Sequence, residues 1–160
     1  MLLVASHLVG CTWMNDGQGS VAVASSLEAA KAESLAAQDQ IVALVHQELV
    51  VKTNRSDKRS LLNCGDGMYS WPGGTTLFLE GEIDRQGVLD QVATKFEAEL
   101  EWTVSRYDSA GEPNLELRRD DDLGMIVGFL PPNDSFDGYR FDIDGFSACF
   151  PFEPELGEDY

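Results

Sequence analysis

The stretch 114–130, NLELRRDDDLGMIVGFL, decides the fold. In NLELRRD (114–120) Leu115 and Leu117 alternate with polar residues, the period of a half-buried strand. Asp121-Asp122 reads as a tight turn, and LGMIVGFL (123–130) reads as the returning strand. The pattern continues outward in both directions. EWTVSRY (101–107) precedes it across a turn at Ser109–Pro113, and a polar loop, PPNDSFDG, leads to YRFDIDGFSACFPF (139–152). Further upstream, LLNCGDGMYSW (61–71) reads as one strand. A turn at Trp71-Pro72-Gly73-Gly74 follows, with Pro and Gly at the positions that suit type II geometry. TTLFLEGEI (75–83) then returns.

Two segments carry helical periodicity instead. Ser26 is placed to cap a helix running to about Val51, rich in Ala, Leu, Glu and Gln, with Leu27, Leu35, Val42, Val45 and Leu49 on one stripe. Asp84 caps a second helix, about 85–99, whose seam is Val88, Leu89, Val92, Phe96 and Leu100. The order is α-β-β-α-β-β-β-β. Hairpins dominate, so the fold class is α+β, a mainly antiparallel sheet with two helices packed on one face. Between the first helix and the first strand lies KTNRSDKRS, holding Lys52, Arg55, Lys58 and Arg59. It reads as a solvated loop, with a basic binding patch as the rival.

At 160 residues the chain has room for one substantial core. The expected layout is a single domain over 26–152 and an acidic tail over 153–160. A formal charge of −17 repels nucleic acid and anionic headgroups. Any attachment to a membrane therefore needs a different device.

The N-terminus supplies one. Residues 1–10 are apolar, too short to span a bilayer, and suited to the hydrophobic part of a signal peptide. Leu8-Val9-Gly10-Cys11 resembles the bacterial lipobox, in which small residues flank a cleavage site before a cysteine that takes a lipid thioether. The resemblance implies lipidation at Cys11 by a diacylglycerol thioether, with a further acyl chain such as palmitate on its freed amine. Two chains hold stably where one is marginal. Residues 11–25 then form a Gly/Ser-rich tether. The basic lead of a signal peptide is missing, which points to a start upstream of Met1. The rival reading is an N-terminal strand with a buried free cysteine.

If Cys11 is lipidated, Cys64 and Cys149 remain as an even pair outside the cytoplasm, where a disulfide forms. Two buried thiols are the alternative. The layout as a whole resembles small actinobacterial lipoproteins of uncharacterised function. The shared features are the lipobox, an Ala/Gln-rich helix, Cys64 within NCGDG, and Cys149 on the last strand. The resemblance implies a lipid-anchored place on the extracytoplasmic face of the cell membrane and a disulfide. It carries over no catalytic residue.

Little else carries chemistry. His46 lies on the first helix, and no nucleophile–histidine arrangement, phosphate-binding loop or dinucleotide fingerprint is present. Asp120-Asp121-Asp122 suits a turn better than a metal site. Asn133, Ser135, Asp137, the Tyr139 carbonyl and Asp144 are spaced loosely like a calcium loop but lack its closing Glu and flanking helices. No metal or cofactor is expected. Tyr69, Trp71, Trp102, Tyr107, Phe136 and Tyr139 are candidates for a ligand groove, with core or hairpin packing as the rival. The leading expectation is a lipid-anchored binding or interaction module for a cationic ligand or an envelope protein. The alternatives are a carboxylate-based envelope hydrolase, with or without a divalent cation, and a structural envelope component. Acids of unlike pKa converging in a pocket would favour the hydrolase.

Overall fold

Alternation in five consecutive strands leaves one apolar face that must be covered, and two helices cover it. The computed structural model describes residues 24–56 and 59–153. They form α1 (Leu27–Val42), β1 (Val50–Ser56), β2 (Leu62–Gly65), β3 (Met68–Ser70), β4 (Pro72–Leu79), α2 (Arg85–Glu97), β5 (Trp102–Ser109), β6 (Glu112–Arg119), β7 (Gly124–Leu130), β8 (Tyr139–Phe146) and β9 (Phe150–Pro151). The class is α+β. Six strands pair antiparallel in the order β1-β4-β8-β7-β6-β5, and β2-β3-β9 form a small second sheet.

The covered face of the large sheet carries Leu77, Leu79, Phe141, Ile143, Met125, Val127, Phe129, Leu115 and Leu117, all buried. Over it α2 lays Val88, Leu89, Val92, Ala93 and Phe96. Phe96 meets Trp102 edge-on at 4.9 Å between ring centroids. Asp84 caps α2 by accepting from the Gly87 amide at 2.9 Å. Leu100, expected on the same seam, falls beyond the helix and is fully exposed.

The first helix differs from its expected stripe. It buries Leu27, Ala30, Ser34, Ala37, Gln38 and Ile41, a surface of mostly small or polar residues. The sheet below explains this. Gly73 and Gly145 face each other across β4 and β8, and the gap they leave admits Gln38, Ser34 and the Trp71 ring. Gln38 donates to the Ser34 hydroxyl and accepts from the Thr75 hydroxyl at 2.8 Å, so its buried amide is bonded at both ends.

Three boundaries depart from expectation. The helix stops at Val42, not Val51. Gln47 folds back and donates to the Val42 and Val45 carbonyls at 3.0 and 2.9 Å, satisfying acceptors a helix end leaves open. The supposed loop 52–60 begins as edge strand β1, paired to β4 from Val50↔Leu79 to Ser56↔Gly74. Trp71–Gly74 is not a turn: Pro72, Gly73 and Gly74 run in β4 opposite Phe146, Gly145 and Asp144. Pro72 stands at the strand's first position, past the end of β1, where a missing N–H costs least.

The expected strand 61–71 is a hairpin, with Gly65, Asp66 and Gly67 all at positive φ in its turn. The last strand is likewise broken after Phe146 and resumes as β9. Cys64 and Cys149 are joined by a disulfide that ties β2 to the segment entering β9. Ala24 is buried and donates to the Cys149 carbonyl, and Glu153 accepts from the Leu27 amide at 3.0 Å. Those two residues thus pack with the 26–152 unit. The expected signal peptide, the lipidation candidate Cys11, nearly all of the expected tether and the expected tail from 154 onward lie outside the described residues.

Candidate functional site

The six candidate aromatic residues are not gathered into one groove. Trp71 is fully buried beneath α1, with the Lys31 ammonium 5.2 Å from its ring centre. Trp102 is buried against Phe96. Tyr69 lies in the small sheet against Phe152 at 5.1 Å. Tyr107 is exposed on edge strand β5. Phe136 and Tyr139 line one cleft, at the end of the large sheet remote from the small one.

That end holds a cleft of about 680 Å³ lined by Glu80, Gly81, Asp134, Ser135, Phe136, Asp137, Gly138 and Tyr139. Local chemistry builds it. The Asn133 side chain accepts from the Ser135 and Phe136 amides at 3.0 and 3.1 Å, which curls the loop into a tight bend. A β-carbon at Gly138 would collide with the Leu79 carbonyl and the Phe136 ring, so glycine lets the loop close against β4. Pairing of Leu79 with Tyr139 then brings Glu80 beside the 134–139 loop. Phe136 stands edge-on to Phe78 at 5.1 Å, and the Lys52 ammonium lies 5.1 Å from the Phe78 ring. The Arg85 guanidinium lies 4.4 Å from the Tyr139 ring centre. Two cations of the chain itself thus rest on aromatic faces at this end.

The loosely calcium-like spacing does not gather. Asn133 is spent on its own turn, and Asp144 lies within β8 opposite Gly74. Among the described residues no group of three or more His, Cys, Asp or Glu converges as a metal site would. The triple aspartate makes the β6–β7 turn, with Asp122 at positive φ. Burial pushes the Asp121 carboxyl up, but hydrogen bonds and charge from Arg119, with the Leu123 amide, hold it below the ordinary range. His46 is exposed and lies 3.3 Å from Glu48.

Among the described residues, the opposite face of the large sheet carries no helix. Asp142 and Asp144 lie there on β8, flanked by Thr76 and Gly74 on one side and Gly128 and Ile126 on the other. Partial burial, then the charge of Asp142, push the Asp144 carboxyl up, and Arg59 opposes them. Asp142 Oδ1 and Arg140 Nε are buried without a hydrogen-bond partner among the described residues. Sequence reasoning did not single out Glu80 or Asp134. Their signal was the polar loop itself, read together with the β4–β8 pairing that sets it beside Glu80.

Fold and cleft together define a disulfide-bonded α+β protein with a helix-covered sheet and an acidic, aromatic cleft at one end. No protein-family model matches the chain, and neither a curated protein nor a solved structure matches it. Among the described residues no helix is long and apolar enough to cross a membrane.

Proposed function

We propose that this chain is a lipid-anchored, extracytoplasmic binding module that takes a cationic ligand in the cleft at the 134–139 loop. The observation that carries the reading is the cleft's composition. Glu80, Asp134 and Asp137 line the cleft together with Phe136 and Tyr139, so its charge favours a cation. The Cys64–Cys149 disulfide and the lipobox-like Leu8–Cys11 support a place outside the cytoplasm. Asp144, whose carboxyl burial and the charge of Asp142 push up, lies with Asp142 on the open sheet face and not in this cleft. That separation favours a module over an enzyme.

Calorimetric titration of the full chain with trilysine tests the cleft. Binding is expected to weaken with salt, and Asp134→Asn with Asp137→Asn is expected to lower affinity about ten-fold. Equal binding of the side-chain-acetylated peptide would overturn it. Mass spectrometry of the mature protein tests the anchor, which predicts a diacylglycerol thioether at Cys11; an unprocessed chain with free Cys64 and Cys149 thiols is the contrary result.

A further inference from the structure

We infer that the outer edge of β5 is an interaction surface for a second copy of this chain, β5 pairing antiparallel with β5 about a two-fold axis at Tyr107. The large sheet ends at β1 and β5, and its two edges are finished differently. Strand β1 is broken by a bulge between Val50 and Lys52 and exposes Lys52 and Arg55, features that discourage edge pairing. Strand β5 has no bulge, lysine or proline. It pairs with β6 without a slip from Trp102↔Arg119 to Ser109↔Glu112. Residues Ser105 to Ser109 are all exposed, and among the described residues no strand lies outside them.

The β5–β6 hairpin fixes which backbone groups face that edge. Ala110 and Gly111 are both at positive φ, as a two-residue turn requires, so Ser109 and Glu112 form the hydrogen-bonded pair that closes it. Bonded and unbonded pairs then alternate along the ladder. Pro113, which has no N–H, falls in an unbonded pair opposite Asp108. At the far end the Asp120 amide donates to the Glu101 carbonyl at 3.2 Å, in the same phase. Val104, Arg106 and Asp108 therefore direct their N–H and C=O groups outward, where an added strand would meet them.

Side-chain chemistry selects the occupant and the register. Setting Arg106 against Arg106, or Asp108 against Asp108, places like charges directly opposite, which is destabilising. A longer overlap centred on Ser105 leaves Arg106 opposite Val104 and Asp108 opposite Trp102. Centred on Tyr107, each Arg106 instead faces the Asp108 of the other copy, and the two backbones exchange hydrogen bonds there. Arg106 spends Nη1 on Asp90 at 2.7 Å, which leaves Nε and Nη2 to donate across the axis. Asp108 makes no ion pair among the described residues. Tyr107, 40% exposed, meets its own copy in the closely spaced unbonded pair, where ring against ring is favourable. A two-fold contact of this kind is self-complementary and stops at the dimer.

Two measurements on the full chain carrying Cys11→Ser test this, so that neither lipid nor a third thiol contributes. The first is sedimentation equilibrium in about 150 mM salt, where repulsion between the acidic chains is screened beyond roughly 8 Å. So short a contact makes a weak dimer, expected to form between about 10 μM and 1 mM. Asp108→Arg is expected to raise its dissociation constant at least about ten-fold. The second is cross-linking under mild oxidation. Tyr107→Cys is expected to give a disulfide-linked dimer and Ser105→Cys to stay monomeric, because only position 107 meets itself on the axis. A chain that is monomeric throughout, or a dimer indifferent to Asp108→Arg, overturns the inference. Cross-linking through Ser105→Cys in place of Tyr107→Cys overturns it as well.

Discussion

A β-carbon placed on Gly145 would lie 2.5 Å from the Gln38 amide nitrogen and 2.9 Å from the Ser34 hydroxyl, against an α1 surface bonded to Thr75. The neighbour that must give way is therefore not a free side-chain end but part of a buried, satisfied hydrogen-bond chain. Displacing it leaves polar atoms without partners. Gly145→Ala is expected to cost about 2–3 kcal/mol in chemical denaturation. Gly124→Ala on β7 is the matched control, because its β-carbon would meet nothing nearer than 3.6 Å. That change is expected to stay within about 0.5 kcal/mol. Equal losses at the two positions would refute the close-approach account. Gly145 was hard to value from sequence, since a glycine in DIDGFS reads as a weak strand position until the helix above it is known.

Among the elements, those with a strong period were legible and those shaped by partners were not. The α2 seam and the β5–β8 hairpins follow directly from apolar spacing, and the Asp84 and Ser26 caps from residue type. The first strand escaped notice because an edge strand with a solvated outer side is mostly polar: Lys52, Thr53, Asn54 and Arg55 are exposed. Trp71–Gly74 carries turn residues, yet its glycines serve the close approach of α1 and the Trp71 ring. The cleft was half legible, because Phe136 and Tyr139 are local whereas Glu80 joins them only through pairing. Arg119 shows how elements are tied together. It donates to Glu33 of α1 at 2.6 Å and to Asp121 of the β6–β7 turn at 2.6 and 2.8 Å. Its guanidinium carbon lies 5.8 Å from the Trp102 ring centre on β5. Because the folded Asp121 carboxyl is held below its ordinary 3.8, its contribution is present above that pH and fades as pH falls through the lowered value. Asp121→Asn is expected to cost about 1–2 kcal/mol at pH 7. The difference from the unaltered chain should close as pH falls below 3.8 and through the lowered value. A gap that persists in acid would mean the loss is one of packing, not charge.

At the scale of the whole molecule, the disulfide joins what the large sheet alone leaves loose. The small sheet pairs through few residues, Met68↔Pro151 and Tyr69↔Phe150 on one side and three pairs to β2 on the other. Two- and three-stranded pieces this short are marginal without support. The bond between Cys64 and Cys149 spans a sequence separation of 85. In the chain-entropy view, closing a loop of that size removes enough freedom from the unfolded chain to add roughly 4–5 kcal/mol. That is a large share of a typical domain's 5–15 kcal/mol. Cys64→Ser with Cys149→Ser is therefore expected to lower the unfolding free energy by about 4 kcal/mol. The far-UV spectrum should hold, because the helices and the six-stranded sheet do not depend on the bond for their pairing. Reduction of the unaltered chain should reproduce the loss. If denaturation shows less than about 1 kcal/mol, the unfolded chain is already compact around this pair. The small sheet then owes its order to Ser70 and Ser147, whose hydroxyls bond the Ser147 carbonyl and the Trp71 amide.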